Sequence, residues 1–258
     1  MSLDIGIDLG TATVQVYADG EIVLSEPSVI AVNKNTGKVV AVGEEAQTMI
    51  GRTPSHIVAT RPLENGVIAE IKNCQKMIRY FIEKSCKNRL LRPRVAICIP
   101  SEVTEVERAA VVETAQSAGA KAILTIEEPM AAAIGAGIDV LLPEGNMVLD
   151  IGGGTADIAV ITLGGIAQSV SLKIAGNTFD ETIVKSVRAR YNLIIGQRMA
   201  ERLKISMRQA ILDNTTLSVK GKNALTGLPE MVEMDPKLLL SFFDENFTVL
   251  ENALVSVL

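Results

Sequence analysis

Asp8-Leu9-Gly10-Thr11-Ala12-Thr13 and Asp150-Ile151-Gly152-Gly153-Gly154-Thr155 are two versions of one phrase: Asp, an apolar residue, Gly, two small residues, Thr. Each follows an apolar run, LDIGI in the first case and NMVL in the second. The runs read as strands and the glycines as tight turns into a second strand. An Asp at such a strand end can hold a hydrated divalent cation, and turn glycines let backbone N–H groups approach phosphate oxygens. Thr11, Thr13 and Thr155 add hydroxyl donors. Either copy alone reads equally well as a simple hairpin turn. Two copies in one chain favour a pair of hairpins clasping the phosphates of a nucleotide and its metal from both sides. Neither copy is a P-loop, because no Gly-Lys-Ser/Thr follows. Neither is a dinucleotide fingerprint, because the glycines lie between strands and not before a helix.

Around the first copy, residues 3–17 form the expected hairpin. The stretch 26–71 carries short β-rich pieces (SVIAV, KVVAVG, GVIAEI) and one helical pattern at 44–50, as a small inserted subdomain would. Helical spacing over 74–86, the apolar run VAICIP at 95–100, a helix over 105–118, the strand AILTIEEP and the helix MAAAIGAG alternate as in a parallel-sheet α/β core. Around the second copy, 146–170 returns to buried hairpin strands. Helical patterns follow at 181–191 and 199–210, short strands near 215–219, and one last helix from Pro236 to the end.

Between the two hairpins lies Ile126-Glu127-Glu128-Pro129, in which Pro129 suits the first turn of a helix. Glu128 then sits at a helix N-terminus, a setting that favours the ionised carboxylate. It can orient or deprotonate a water attacking a γ-phosphate, or form with Glu127 a plain capping pair that offsets the helix dipole.

The chain has 258 residues, enough for two lobes with separate cores, and is 48% hydrophobic with 3% aromatic residues and no Trp. A net charge of −5 excludes a global basic field for nucleic acid. Cys74, Cys86 and Cys98 show no metal-ligand spacing and read as buried, reduced thiols. The early start of the first strand leaves no room for a signal peptide, and no run of ~18 apolar residues occurs. A cytoplasmic protein is expected. His56, the single histidine, falls in a loop and is given no catalytic role.

Taken together, GIDLGTATV (6–14), SEPSVIAV (25–32), AVGEEA (41–46), RPLENGVIAE (61–70), RPRVAICIPS (92–101), EVERAAVVETAQSAGA (105–120), IEEPMAAAIGAG (126–137) and NMVLDIGGGTADIAV (146–160) resemble MreB, the bacterial actin-like rod-shape family. DLGT and DIGGGTAD alone point only to the broader superfamily of actin, Hsp70 and sugar kinases. RPL-GVIA and EEPMAAAIGAG are similar to the rod-shape branch in particular.

The resemblance implies an α/β, actin-like (ribonuclease H-like) fold of two lobes and four subdomains. These would be a first-lobe core (1–26 and 72–143), a small inserted subdomain (27–71), a second-lobe core (144–179), an outer subdomain (180–246) and the start of a return helix (247–258). It implies ATP or ADP with Mg²⁺, slow hydrolysis, self-assembly into protofilaments, and a cytoplasmic location at the anionic inner face of the cell membrane with other shape or morphogenesis proteins. Residue by residue, it makes Asp8 and Asp150 the metal-organising acids, Asp150 also catalytic, and Glu128 the water-directing carboxylate. Gly10, Thr11, Ala12, Thr13, Gly152, Gly153, Gly154 and Thr155 become the phosphate contacts. Gly176 and Asn177 match a ribose-side turn, and Glu201 and Lys204 match residues flanking the adenosine. In Lys87-Asn-Arg-Leu-Leu-Arg-Pro-Arg94, the pair Leu90 and Leu91 with Arg92 matches a membrane-inserting loop, with Arg89 and Arg94 adding attraction to anionic headgroups.

The family pattern continues past residue 258 into a further strand, a Gly-rich turn of the type TGGGA and a closing helix, so the second lobe is expected to be incomplete. No Lys occurs in the first phosphate hairpin, which leaves charge compensation to the cation and to backbone dipoles. Two other readings share the superfamily fold: a small-molecule kinase, for which no substrate-side catalytic Asp is identifiable, and a hydrolysis-deficient structural paralogue. A chaperone-type nucleotide-binding domain would need a substrate-binding domain that does not follow.

Overall fold

The computed structural model describes residues 4–86 and 92–258. They form two compact units, one running to Ser171 and the other beginning at Leu172. The first unit opens with a meander of β1 (Asp4–Leu9), β2 (Thr13–Ala18) and β3 (Glu21–Pro27). Ile5, Ile7 and Leu9 on β1 and Val14, Val16 and Ala18 on β2 are all buried. Because side chains alternate across a strand, Asp8 is thereby turned to the opposite face of the sheet.

The small inserted element follows as β4 (Ile30–Asn33), β5 (Val39–Val42), α1 (Glu44–Met49) and β6 (Ile57–Thr60), with strand order β5-β4-β6. Val29, Ala31, Ala41 and Ala46 are its core. A short hairpin, β7 (Leu63–Glu64) and β8 (Val67–Ile68), turns on Asn65 and Gly66, both with positive φ, at 50° and 78°. Asn-Gly is the pair that a two-residue hairpin turn of this kind selects.

The chain then builds α2 (Ile71–Ser85), β9 (Arg94–Ile99), α3 (Glu105–Ala118) and β10 (Ala122–Glu127). β9 pairs in parallel with β1, and β10 with β9, which completes a five-stranded sheet in the order β10-β9-β1-β2-β3. α2 starts three residues before the expected Cys74 and presents Cys74, Met77, Ile78, Phe81 and Ile82 to this core. Each large side chain so buried contributes about 1.5–3 kcal/mol. α3 begins on a capping box in which Thr104 and Glu107 satisfy each other's backbone N–H groups.

α4 (Glu128–Gly135) packs Ala133 and Met130 against β11 (Asn146–Ile151) and β12 (Ala156–Thr162), which with β13 (Gly165–Leu172) form a sheet of order β11-β12-β13. β12 is almost continuously buried, as a strand covered on both faces should be.

The second unit comprises α5 (Gly176–Tyr191), β14 (Leu193–Ile194), α6 (Gln197–Leu212), β15 (Leu217–Asn223), β16 (Pro229–Met234), α7 (Pro236–Ser241) and α8 (Asp244–Val257). The expected single terminal helix is two helices. The chain turns at Phe242 and Phe243, and buried Phe243 meets Phe179 edge-on with ring centroids 4.9 Å apart. Helical periodicity in the sequence continues through this break because Phe247, one turn into α8, packs on the same ring. Among the described residues no helix is long and apolar enough to cross a membrane.

Candidate functional site

Both Asp-Gly hairpins and the N-terminus of α4 open onto one cavity of about 430 Å³ in the first unit. Asp8, Gly10, Thr11, Ala12 and Thr13 line it from the β1–β2 turn, and Asp150, Gly152, Gly153, Gly154 and Thr155 from the β11–β12 turn. Glu128 enters from α4, beside Ala131 and Ala132. The eleven expected residues of this unit are thus gathered in one place.

The two turns touch. A Cβ on Gly153 would lie 2.5 Å from the Ala12 Cβ, and one on Gly154 would lie 2.5 Å from Thr11 Oγ1. No real side chain tolerates such separations, so glycine is what allows the loops to close on each other. Within the second turn the Gly152 N–H donates to the Thr155 carbonyl at 2.9 Å, and the Ser28 hydroxyl donates to the Gly10 carbonyl in the first.

Sequence reasoning missed the β7–β8 turn as a third wall. The Gly66 N–H donates to Thr11 Oγ1 at 2.9 Å, which leaves the Thr11 hydroxyl proton available to a ligand. A Cβ on Gly66 would meet Pro100 at 2.7 Å and Thr155 at 3.0 Å. Arg61, just before this hairpin, donates to the Ala12 carbonyl at 3.1 Å. The Asn65-Gly66 dipeptide was the available signal. Cys98 was also missed as a lining residue: it is half-buried, not buried, and burial with the charges of Asp8, Glu128 and Asp150 pushes its thiol up to about 12.

The cavity is acidic. Burial, and then the charge of Asp150, raises Asp8 to about 6, although its side chain opens into the cavity mouth. Asp150 is raised by burial and by Asp157. Glu128 is raised to about 8, by burial first and then by Asp157, Asp8 and Asp150. The expectation that the helix terminus keeps Glu128 ionised is therefore overturned. A helix end contributes about 0.3–1 kcal/mol, less than desolvation and several like charges together. The capping-pair reading gains nothing either, since Glu127 occupies the N-cap position with no side-chain capping bond.

No Lys or Arg is among the described residues lining the cavity. Polyphosphate charge there has to be met by backbone N–H groups and a cation. Asp8 and Asp150 suit that cation. They are two carboxylates held against their own repulsion, and no cluster of three or more acidic, His or Cys ligands exists among the described residues. Such a donor set fits Mg²⁺, which binds one or two carboxylates and fills its remaining positions with water and phosphate oxygens.

Gly176, Asn177, Glu201 and Lys204 lie in the second unit, on α5 and α6. Lys204 is a strut there. Its ammonium pairs with the Asp180 carboxylate at 2.8 Å and donates to the Gly176 carbonyl at 2.9 Å, fixing the start of α5. Leu90 and Leu91 fall outside the described residues. Arg92 is exposed, and Arg94 is engaged by Asp4 through two bonds of 2.7 and 2.6 Å. That pairing offsets the charge expected to attract headgroups.

The arrangement is matched among known proteins. The family described as "MreB/Mbl protein" matches residues 2–258. The cell shape-determining protein Mbl of Bacillus subtilis is 46% identical over 259 residues, covering 99% of this chain and 78% of that protein. The cell shape-determining protein MreB of Escherichia coli is 42% identical over 266 residues, covering 100% of this chain and 77% of that protein. The crystal structure of MreB5 of Spiroplasma citri bound to AMPPNP superposes with a TM-score of 0.86 at 34% identity, covering 98% of this chain and 79% of that one. With its paired Asp-Gly hairpins set in an actin-like fold, and with such identity along nearly its whole length, the chain belongs to the MreB/Mbl family.

Proposed function

We propose that this protein is an ATP-binding, filament-forming cytoskeletal subunit that determines cell shape and hydrolyses ATP slowly. The observation that carries this reading is the convergence of both Asp-Gly turns and Glu128 on one cavity, with the turns in contact at Ala12 and Gly153. Backbone N–H groups of Gly10–Thr13 and Gly153–Thr155 hold the β- and γ-phosphates, helped by the hydroxyls of Thr11, Thr13 and Thr155, while the Gly152 N–H closes the second turn on the Thr155 carbonyl. Asp8 and Asp150 hold Mg²⁺, which supplies charge neutralisation to the phosphates when bound. Gly176 and Asn177 serve the ribose side and Glu201 the adenosine side, with Lys204 holding the Gly176 turn in place.

Glu128 directs the water. In hydrolysis the water oxygen bonds to the γ-phosphorus while the bond from that phosphorus to the β–γ bridging oxygen breaks, and the electron pair leaves on ADP. One water proton passes to the Glu128 carboxylate and then to solvent or phosphate. Glu128 acts in its ionised form, so its raised pKa makes turnover slow at neutral pH until cationic charge enters the site. The nucleotide state then biases assembly, because only differential affinity for two conformations shifts their populations. At the membrane, Leu90, Leu91 and Arg92 engage the anionic inner surface, and other shape proteins are partners there.

The test is ATP binding and phosphate release on this chain beside Glu128→Gln, with pelleting followed in the same samples. Expected are binding in both, a loss of turnover of about 100-fold or more in the variant, and pelleting that depends on concentration and on Mg-ATP. Phosphate transfer to a small acceptor, or no binding of ATP, would overturn the reading.

A further inference from the structure

Asp8, Glu128 and Asp150 line the cavity with no Lys or Arg beside them among the described residues, yet a cation stands directly behind one wall. Arg61 leaves the chain between β6 and β7. The residue before a proline is held in extended backbone. The Pro62 carbonyl in turn accepts the N–H groups of Ala69 at 2.9 Å and Glu70 at 3.1 Å, so the stem of Arg61 is fixed. Its guanidinium donates through one nitrogen to the Ala12 carbonyl at 3.1 Å and, at a longer 3.5 Å, to the Thr11 carbonyl. Arg61 is half-buried and pairs with no carboxylate among the described residues, so its charge is not consumed by an acid of its own.

Ser28 grips the same turn. Its N–H donates to the Ala12 carbonyl at 2.9 Å and its hydroxyl to the Gly10 carbonyl. Neither Arg61 nor Ser28 lines the cavity, so the carbonyls of Gly10, Thr11 and Ala12 are held from the side away from it. In a planar trans peptide the N–H points opposite to the C=O. The N–H groups of Thr11, Ala12 and Thr13 are thereby turned toward the cavity. Two donors occupy both lone pairs of the Ala12 carbonyl, and a flip of that peptide would forfeit both bonds.

We propose that Arg61 is the cation of the phosphate site, acting through the β1–β2 turn: bonded to the Ala12 and Thr11 carbonyls, it keeps the N–H groups of Thr13 and Ala12 aimed at the phosphates and adds positive charge behind them. This rests on the nucleotide-binding reading above. A hydrogen bond to a carbonyl polarises its peptide and strengthens the N–H on the other side as a donor, and a charged donor does so most. Arg61 thus supplies from behind what a lysine on the turn would supply by contact, and leaves the cavity free for a hydrated cation. It is a positioning residue, since it touches neither nucleotide nor metal.

The test compares affinities for a non-hydrolysable ATP analogue, ADP and AMP, each with Mg²⁺, in the wild type, Arg61→Met and Arg61→Lys. Arg61→Met keeps a long apolar stem and removes charge and donors. It should weaken the analogue and ADP by about 10-fold or more and leave AMP at its wild-type value, because the turns hold only the β- and γ-phosphates. Arg61→Lys retains charge and a donor on a shorter reach, so it should weaken the analogue and ADP by about 3-fold and again spare AMP. It carries the test alone if Arg61→Met does not fold. Wild-type affinities for the analogue and ADP in the variants defeat the inference and leave the nucleotide reading standing. A loss that extends equally to AMP makes Arg61 a strut of the hairpin and also defeats it, as does a loss in Arg61→Lys as large as in Arg61→Met. A wild-type chain that binds none of the three ligands removes the nucleotide reading and the inference together.

Discussion

Glu128 illustrates how one carboxyl can link the chemistry of this protein to its stability. Its ordinary value of 4.5 rises to about 8 in the fold. Between those two pH values the native state holds a proton that the unfolded chain has lost, so stability falls as pH rises through the window. Each unit of difference corresponds to about 1.4 kcal/mol. Asp8, raised from 3.8 to about 6, acts with the same sign lower on the scale. Without nucleotide or divalent cation, the urea midpoint should therefore be lower at pH 8.5 than at pH 6, and Glu128→Gln should flatten the difference. Mg²⁺ with nucleotide should raise the midpoint more at pH 8.5 than at pH 6, because a cation favours the ionised acids. A midpoint that rises with pH in the bare chain would contradict the assignment of Glu128 as a protonated acid.

Among the elements, the β7–β8 hairpin is the least conspicuous in the sequence and the most closely fitted to the site. Gly66→Ala puts a methyl group 2.7 Å from Pro100 at a φ of +78°, a combination that should cost ~1–3 kcal/mol and displace Thr11, with a drop in nucleotide affinity. Gly20→Ala is the control: its φ is +90°, but nothing lies within 4 Å of the added Cβ. It should cost only the ~1–2 kcal/mol of backbone strain and leave affinity alone. Equal affinities in the two variants would deny the hairpin a part in the site. The alternating strands β1 and β2, the buried β9 and the capped α3 were legible because local pattern and tertiary role agree in them. The two Asp-Gly turns were legible because their glycines and acids repeat. Glu128's charge state was not, since helix position is visible in a sequence whereas the burial and acidic neighbours that outweigh it are not. The break between α7 and α8 escaped because Phe243 and Phe247 keep a helical spacing while serving one aromatic cluster.

At the scale of the whole molecule, assembly and membrane attachment are the properties to measure. A Leu90→Ser, Leu91→Ser double variant should pellet with Mg-ATP as the wild type does but lose most of its co-sedimentation with vesicles containing anionic lipid. Full retention on vesicles would dissociate these leucines from the membrane. Arg94→Ala should change vesicle binding little, as its charge is already met by Asp4.

The contact between the two Asp-Gly turns also has a bearing on biosynthesis. Ala12 and Gly153 belong to opposite ends of the first unit, and everything between them must be made before they can meet. At about 5–20 residues per second, the ribosome takes on the order of ten seconds to produce that interval. Throughout it the first turn is half of a binding site, with Asp8 and no opposing loop. A nascent chain arrested before Gly153 has left the exit tunnel should neither retain nucleotide nor gain protease resistance from it, whereas one arrested only after Lys204 has emerged should do both. On the proposed reading, nucleotide is therefore a ligand that this chain would acquire late in its synthesis, after the second turn has closed on the first and residues 176–204 have followed.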